Sequence, residues 1–119
     1  MENKRKYTRV MVQLQGAYSI NSGLLLHGAR VKDISQNGIC LQLKQHVPVG
    51  SLLKVEICSN AFKVPLRVVA RVVRISASQN PEFAFESGLE LLEMPPDDRE
   101  SLDHFVLYYY QRGNENEHW

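Results

Sequence analysis

The chain has 119 residues, 44% of them hydrophobic and 23% charged. That is a globular rather than a disordered composition, in one domain long enough to build a core without metal or disulfide support. Fourteen basic against thirteen acidic side chains leave a net charge of +1, which excludes bulk attraction to nucleic acid or an anionic membrane and requires any anion site to be local.

The chain opens on a basic cluster, Lys4, Arg5, Lys6 and Arg9 around Tyr7, which predicts a flexible N-terminal arm over residues 1–9. It runs into an alternating segment, Val10, Val12 and Leu14 against Met11, Gln13 and Gln15, with Gly16 a candidate bulge. Asn21-Ser22-Gly23 is a turn signal, and Leu24 to Lys32 predicts a second extended segment. Asp33 to Gly38 reads as a tight polar turn, after which Ile39, Leu41 and Leu43 alternate with Cys40, Gln42 and Lys44. Leu52 to Ile57 predicts a further strand, and Phe62 to Ile75 a long β-branched one in which Pro65 marks an edge or a bulge. Phe83 to Leu92 is the last strand candidate.

Beyond Pro95-Pro96 the period changes. Asp97 as N-cap with Glu100 three residues on, then Leu102, Phe105, Val106 and Tyr109, predict one amphipathic helix over about 96–112 that stops at Gly113, with 114–119 a polar tail. Five to seven short antiparallel strands followed by one helix predict a mainly β protein: a small barrel with a C-terminal helix spanning residues 10–113.

Enzyme chemistry finds little support, and none is expected. His27, His46, His104 and His118 are scattered without metal-ligand spacing, so no metal site is expected, and there is no nucleophile elbow or phosphate loop. Glu82, Glu86, Glu90 and Glu93 read as a solvated edge. Cys40 and Cys58 lie in apolar runs and read as buried small hydrophobes, which implies a reducing, cytoplasmic setting. No signal peptide or bilayer-spanning run is evident, so neither export nor membrane insertion is expected.

A binding reading draws on two stretches. Asp33 and Ser35 lie two apart, on one side of an extended backbone, and Gly38 offers a left-handed φ or a close approach to a ligand. Taken alone this D-x-S-x-x-G run is an ordinary turn, because Asp, Ser, Asn and Gly are turn residues. Arg5 and Arg9 form R-x-x-x-R just before the first strand, and paired guanidinium groups can grip phosphates or a guanine edge and stack on a base. The turn would then offer Asp33 to the donor edge of a guanine.

Together, Arg5-Lys6-Tyr7-Thr8-Arg9 and Asp33-Ile34-Ser35-Gln36-Asn37-Gly38 resemble the PilZ family of cyclic di-GMP receptors, and Gly88-Leu89-Glu90-Leu91 is similar to that family's G-x-x-F strand with Leu91 in place of the aromatic. The resemblance implies a six-stranded antiparallel Greek-key split barrel with a C-terminal helix. It assigns Arg5 and Arg9 to phosphates and guanine faces, and Asp33, Ser35 and Gly38 to guanine recognition, with cyclic di-GMP as ligand and no cofactor. Lys4 beside Arg5 resembles members that take an intercalated ligand dimer. Arg30, Arg71 and Arg74 are auxiliary candidates, set against a plainer role as outward strand charges.

The implied role is a receptor that orders its arm on the barrel and signals to an effector protein, in control of motility, biofilm or pili. The alternative is a PilZ-fold adaptor that binds proteins and no nucleotide. Single-stranded DNA or RNA is not expected as a partner, given the charge balance and the lack of interleaved surface aromatics. Tyr108-Tyr109-Tyr110 leaves room for a weak homodimer beside a monomer.

Overall fold

In the computed structural model, which describes residues 9–117 and the side chains of residues 9–111, the strands form one closed antiparallel barrel. They are β1 (Val10–Ile20), β2 (His27–Ile34), β3 (Gly38–Leu43), β4 (Leu52–Cys58), β5 (Leu66–Ala77) and β6 (Phe85–Glu93), followed by the helix α1 (Pro96–Glu117). Around the barrel the order is β1-β2-β3-β6-β5-β4, and β1 closes it by pairing with β2 on one side and β4 on the other. The mainly β architecture with a C-terminal helix is the one the strand and helix signals predict.

Period-two alternation explains the interior. Leu41 and Leu43, Val55 and Ile57, Val68, Ala70 and Val72, and Leu89 and Leu91 are buried in one cluster, while their strand neighbours face out. Leu102, Phe105 and Val106 of α1 enter the same cluster at the predicted helical spacing. The Phe105 ring lies 5.2 Å from that of Phe62. Asp98 fastens the start of the helix to β5: its Oδ2 accepts the Arg67 backbone N–H at 2.8 Å and lies 3.6 Å from Arg67 Nε.

Several sequence expectations are corrected. The tri-leucine run Leu24 to Leu26 is an exposed loop, and β2 begins at His27, because pairing along β1 reaches only to Tyr18 opposite His27. Gly16 sits in regular register; a Cβ there would come 3.3 Å from the Glu56 carbonyl oxygen, so the residue serves the close approach of β4 rather than a bulge. Pro65 lies just ahead of β5, where its missing N–H costs no ladder bond, and a closed barrel has no edge for it to occupy. Pro96, not Asp97, opens α1, and Pro is suited to a first helical position. The helix continues through Gly113 to Glu117, since one glycine weakens a helix by about 1 kcal/mol without forbidding it. Cys58 is exposed: it follows inward Ile57 at the end of β4 and so points outward. Among the described residues no helix is long and apolar enough to cross a membrane.

The helix therefore shares one core with the barrel. Leu102, fully buried, is expected on replacement by alanine to cost about 2–5 kcal/mol, read as a lowered urea midpoint in a single transition; a separate early transition for the helix would contradict the shared core.

Candidate ligand-binding site

Three of the barrel's register shifts fall side by side. They lie in β1 between Met11 and Leu14, in β2 against β3 between Val31 and Asp33, and in β5 against β6 between Val72 and Arg74. The Cα partners beside them form one lateral row across the strands: Met11, Asp33, Cys40, Gly88 and Arg74. A bulge sets two residues of one strand against a single residue of the next, so consecutive side chains can share a face. Lys32 and Asp33 accordingly both reach the outer surface between buried Val31 and Ile34, and Val73 and Arg74 are both exposed after buried Val72.

The turn after β2 is held from three directions. Within it, Ser35 N–H donates to the Gly38 carbonyl at 2.9 Å, and Ser35 Oγ accepts the N–H groups of Asn37 and Gly38 at 3.3 and 3.1 Å. From β6, Leu91 N–H donates to the Asn37 carbonyl at 3.1 Å. From α1, Arg99 Nη1 donates to the Gln36 carbonyl and lies 3.4 Å from Asp103 Oδ1. Gly38 does not take a left-handed φ. A Cβ there would meet the Leu89 carbonyl oxygen at 3.1 Å, so glycine lets β3 leave the turn pressed against β6.

On the outer face beside this turn, Asp33 is buried and its Oδ1 lies 3.5 Å from Arg9 Nε. Next to it Glu86 Oε2 accepts Lys32 Nζ at 2.7 Å and Gln42 Nε2 at 3.4 Å, and Cys40 Sγ lies 3.9 Å from Oε1. The hydrogen bond from Lys32 draws the Glu86 carboxyl below its ordinary value, and the same bond raises Lys32. Burial, then the charges of Asp33 and Glu86, push the Cys40 thiol up, which keeps it protonated and unreactive. The surface therefore offers carboxylate and guanidinium groups on a rigid floor, and among the described residues no group of His, Cys, Asp and Glu is arranged to hold a metal.

A family model described as the PilZ domain matches residues 3–108. The chain belongs to the PilZ domain family. Solved structures agree in fold. The inhibitor of motility MotI/DgrA of Bacillus subtilis superposes with a TM-score of 0.78 at 19% identity, over 93% of this chain and 53% of that one. The PilZ domain of YcgR from Escherichia coli, solved with c-di-GMP, gives 0.72 at 14% identity over 97% and 98%. The MrkH–c-di-GMP complex of K. pneumonia gives 0.77 at 13% identity over 98% and 57%. The chain thus spans about half of the MotI/DgrA and MrkH chains and nearly all of the YcgR domain. No match is found among curated proteins.

Within this PilZ domain the two sequence stretches meet where they are described: Arg9 reaches Asp33, and Ser35 and Gly38 build the turn beside it. Arg5 and Lys4 lie outside the described residues. Of the auxiliary arginines, Arg30 is 3.3 Å from Glu82 Oε1 and stands 5.2 Å over the Phe83 ring, and Arg71 is 2.7 Å from Glu90 Oε1. Arg74 differs: its side chain runs over Gly88, where a Cβ would meet its Nε at 2.8 Å. Sequence reasoning passed over Lys32, Gln42 and Arg99, and it took Glu86 for part of a solvated edge. The tight pairing of strands around Glu86 gives it two donors instead. A cavity of about 880 Å3 between β4, β5 and the start of α1 is lined by Arg99 but by neither Asp33, Glu86 nor Arg74. The candidate site is an open face, suited to a ligand gripped from above rather than swallowed.

Because the Glu86 carboxyl is held below its unfolded value, its contribution is present above about pH 4.5 and is lost as pH falls through the lower folded value. Urea midpoints taken from pH 6 to 3 should fall less steeply for Glu86→Gln than for the wild type; parallel curves would mean that Lys32 and Glu86 contribute nothing to folding.

Proposed function

We propose that this PilZ domain is a cyclic di-GMP receptor without catalytic activity, acting in the cytoplasm on a protein effector. The observation that carries the reading is the Arg9–Asp33 contact on a turn that is already held by β6 and α1. A guanine placed there offers N1–H and N2–H donors to a carboxylate that the fold holds in position, so little ordering remains to be done on that side. The phosphates and base faces need cations, and R-x-x-x-R supplies them: Arg9 borders Asp33 on the barrel, and Arg5 stands four residues ahead of it along the chain. Ligand binding gathers this arm onto the barrel, and the changed surface is what an effector reads. Solved PilZ structures with c-di-GMP, those of YcgR and MrkH, support the choice of ligand.

Ordering an arm costs conformational entropy that charge contacts must exceed, so affinity should fall as salt rises. Calorimetry should give saturable binding of cyclic di-GMP at micromolar or tighter affinity. Arg9→Ala should abolish it while leaving the circular dichroism spectrum unchanged. Absence of binding by the wild type would leave the protein-binding adaptor as the reading, and unaltered affinity of Arg9→Ala would remove the clasp.

A further inference from the structure

We infer that Arg74 is a specificity-determining residue of this site, reading the O6/N7 acceptor edge of the guanine whose donor edge meets Asp33. The inference rests on the cyclic di-GMP reading above and extends it to a residue outside R-x-x-x-R and D-x-S-x-x-G.

The argument begins with the row Asp33, Cys40, Gly88, Arg74, one residue from each of β2, β3, β6 and β5. Both ends of the row sit at bulges, the devices that aim a side chain away from strict alternation. Between them lie two small residues, Cys40 and Gly88, so the middle of the row is a low floor. Arg74 does not stand up from its strand. A Cβ on Gly88 would lie 2.8, 2.9 and 3.2 Å from Arg74 Nε, Cγ and Cζ, so the side chain lies down across β6 toward the turn.

Two interstrand spacings then separate the Asp33 and Gly88 backbones, about 10 Å. That is close to the span of a purine hydrogen-bonded on both edges. A side chain that lies on the sheet also holds its N–H groups near the height of the Asp33 carboxylate, so one base lying on the floor can reach both. The chemistry of the two ends matches guanine alone among the common bases: donors at N1 and N2 for the carboxylate, acceptors at O6 and N7 for the guanidinium. Adenine presents its N6 amino donor where Arg74 also donates. Arg30 and Arg71 are engaged by Glu82 and Glu90, whereas Arg74 makes no ion pair within 4 Å among the described residues.

The test uses the full chain, cyclic di-GMP and its analogue with C7–H in place of N7 on both guanines. Arg74 is exposed, so Arg74→Ala is expected to keep the wild-type thermal unfolding. It should bind cyclic di-GMP about tenfold or more weakly. Wild type should discriminate against the 7-deaza analogue, and Arg74→Ala should not. Gly88→Ala, whose new methyl would have Arg74 atoms as its nearest neighbours, should reproduce the loss and add nothing in the Arg74→Ala background. Equal affinity of Arg74→Ala and wild type overturns the inference while leaving the receptor reading intact. An unchanged 7-deaza penalty in Arg74→Ala overturns it as well, because the arginine would then be acting elsewhere on the ligand. No binding by the wild type overturns both.

Discussion

Closure of the barrel is the constraint on which the rest depends. Once β1 pairs with both β2 and β4, every strand has two neighbours and each residue is either inside or outside. Inside, the cluster from Val10 to Val106 leaves no room for polar groups beyond those that find partners, such as Ser87, whose hydroxyl donates to the Leu41 carbonyl at 3.0 Å. Strict alternation would then ration the outer face to every second residue. The bulges at Lys32–Asp33 and Val73–Arg74 break that ration at one row, and so concentrate charge on a few square nanometres without opening the core. The candidate site is built from departures of the barrel from its own regularity.

That is also why the fold was more legible than the site. Alternating Leu41 and Leu43, Val55 and Ile57, and Val68, Ala70 and Val72 announce their inward face directly, and the Pro95-Pro96 break announces the helix. A bulge adds one residue with no composition of its own. By counting alone, Arg71 and Arg74 fall on opposite faces of one strand and cannot be ranked as ligand contacts. With the shift between Val72 and Arg74 both come to the surface, and their partners separate them: Glu90 holds one, and the bare backbone of Gly88 lets the other lie flat. Likewise Asp33 falls by counting on the inward face with Ala29 and Val31, until the bulge brings it out beside Lys32. Long-range partners such as Arg99 and the Gln36 carbonyl, 63 positions apart, have no signal in a single sequence.

The turn at Asp33 to Gly38 meets its structural reading in full, and the ligand role proposed for it above is compatible with that. Ser35 uses its hydroxyl on the N–H groups of Asn37 and Gly38, as a turn serine does, while Asp33, two residues earlier, lies against Arg9.

The link from Gln36 through Arg99 gives the site a route to the rest of the molecule. Arg99 belongs to the first turns of α1, where Asp98 ties the helix to β5, and it also borders the cavity between β4, β5 and the helix start. A shift of the turn under a bound anion would be met by a charge-assisted bond to a carbonyl, a directional contact that couples the turn to the helix. The barrel floor cannot respond in this way, because its strands are paired on both sides. On the receptor reading proposed above, a change caused by the ligand would therefore travel along the Gln36–Arg99 path to α1. That division between a floor of strands paired on both sides and a single side-chain contact at the helix start is what would suit so small a barrel to the role proposed above.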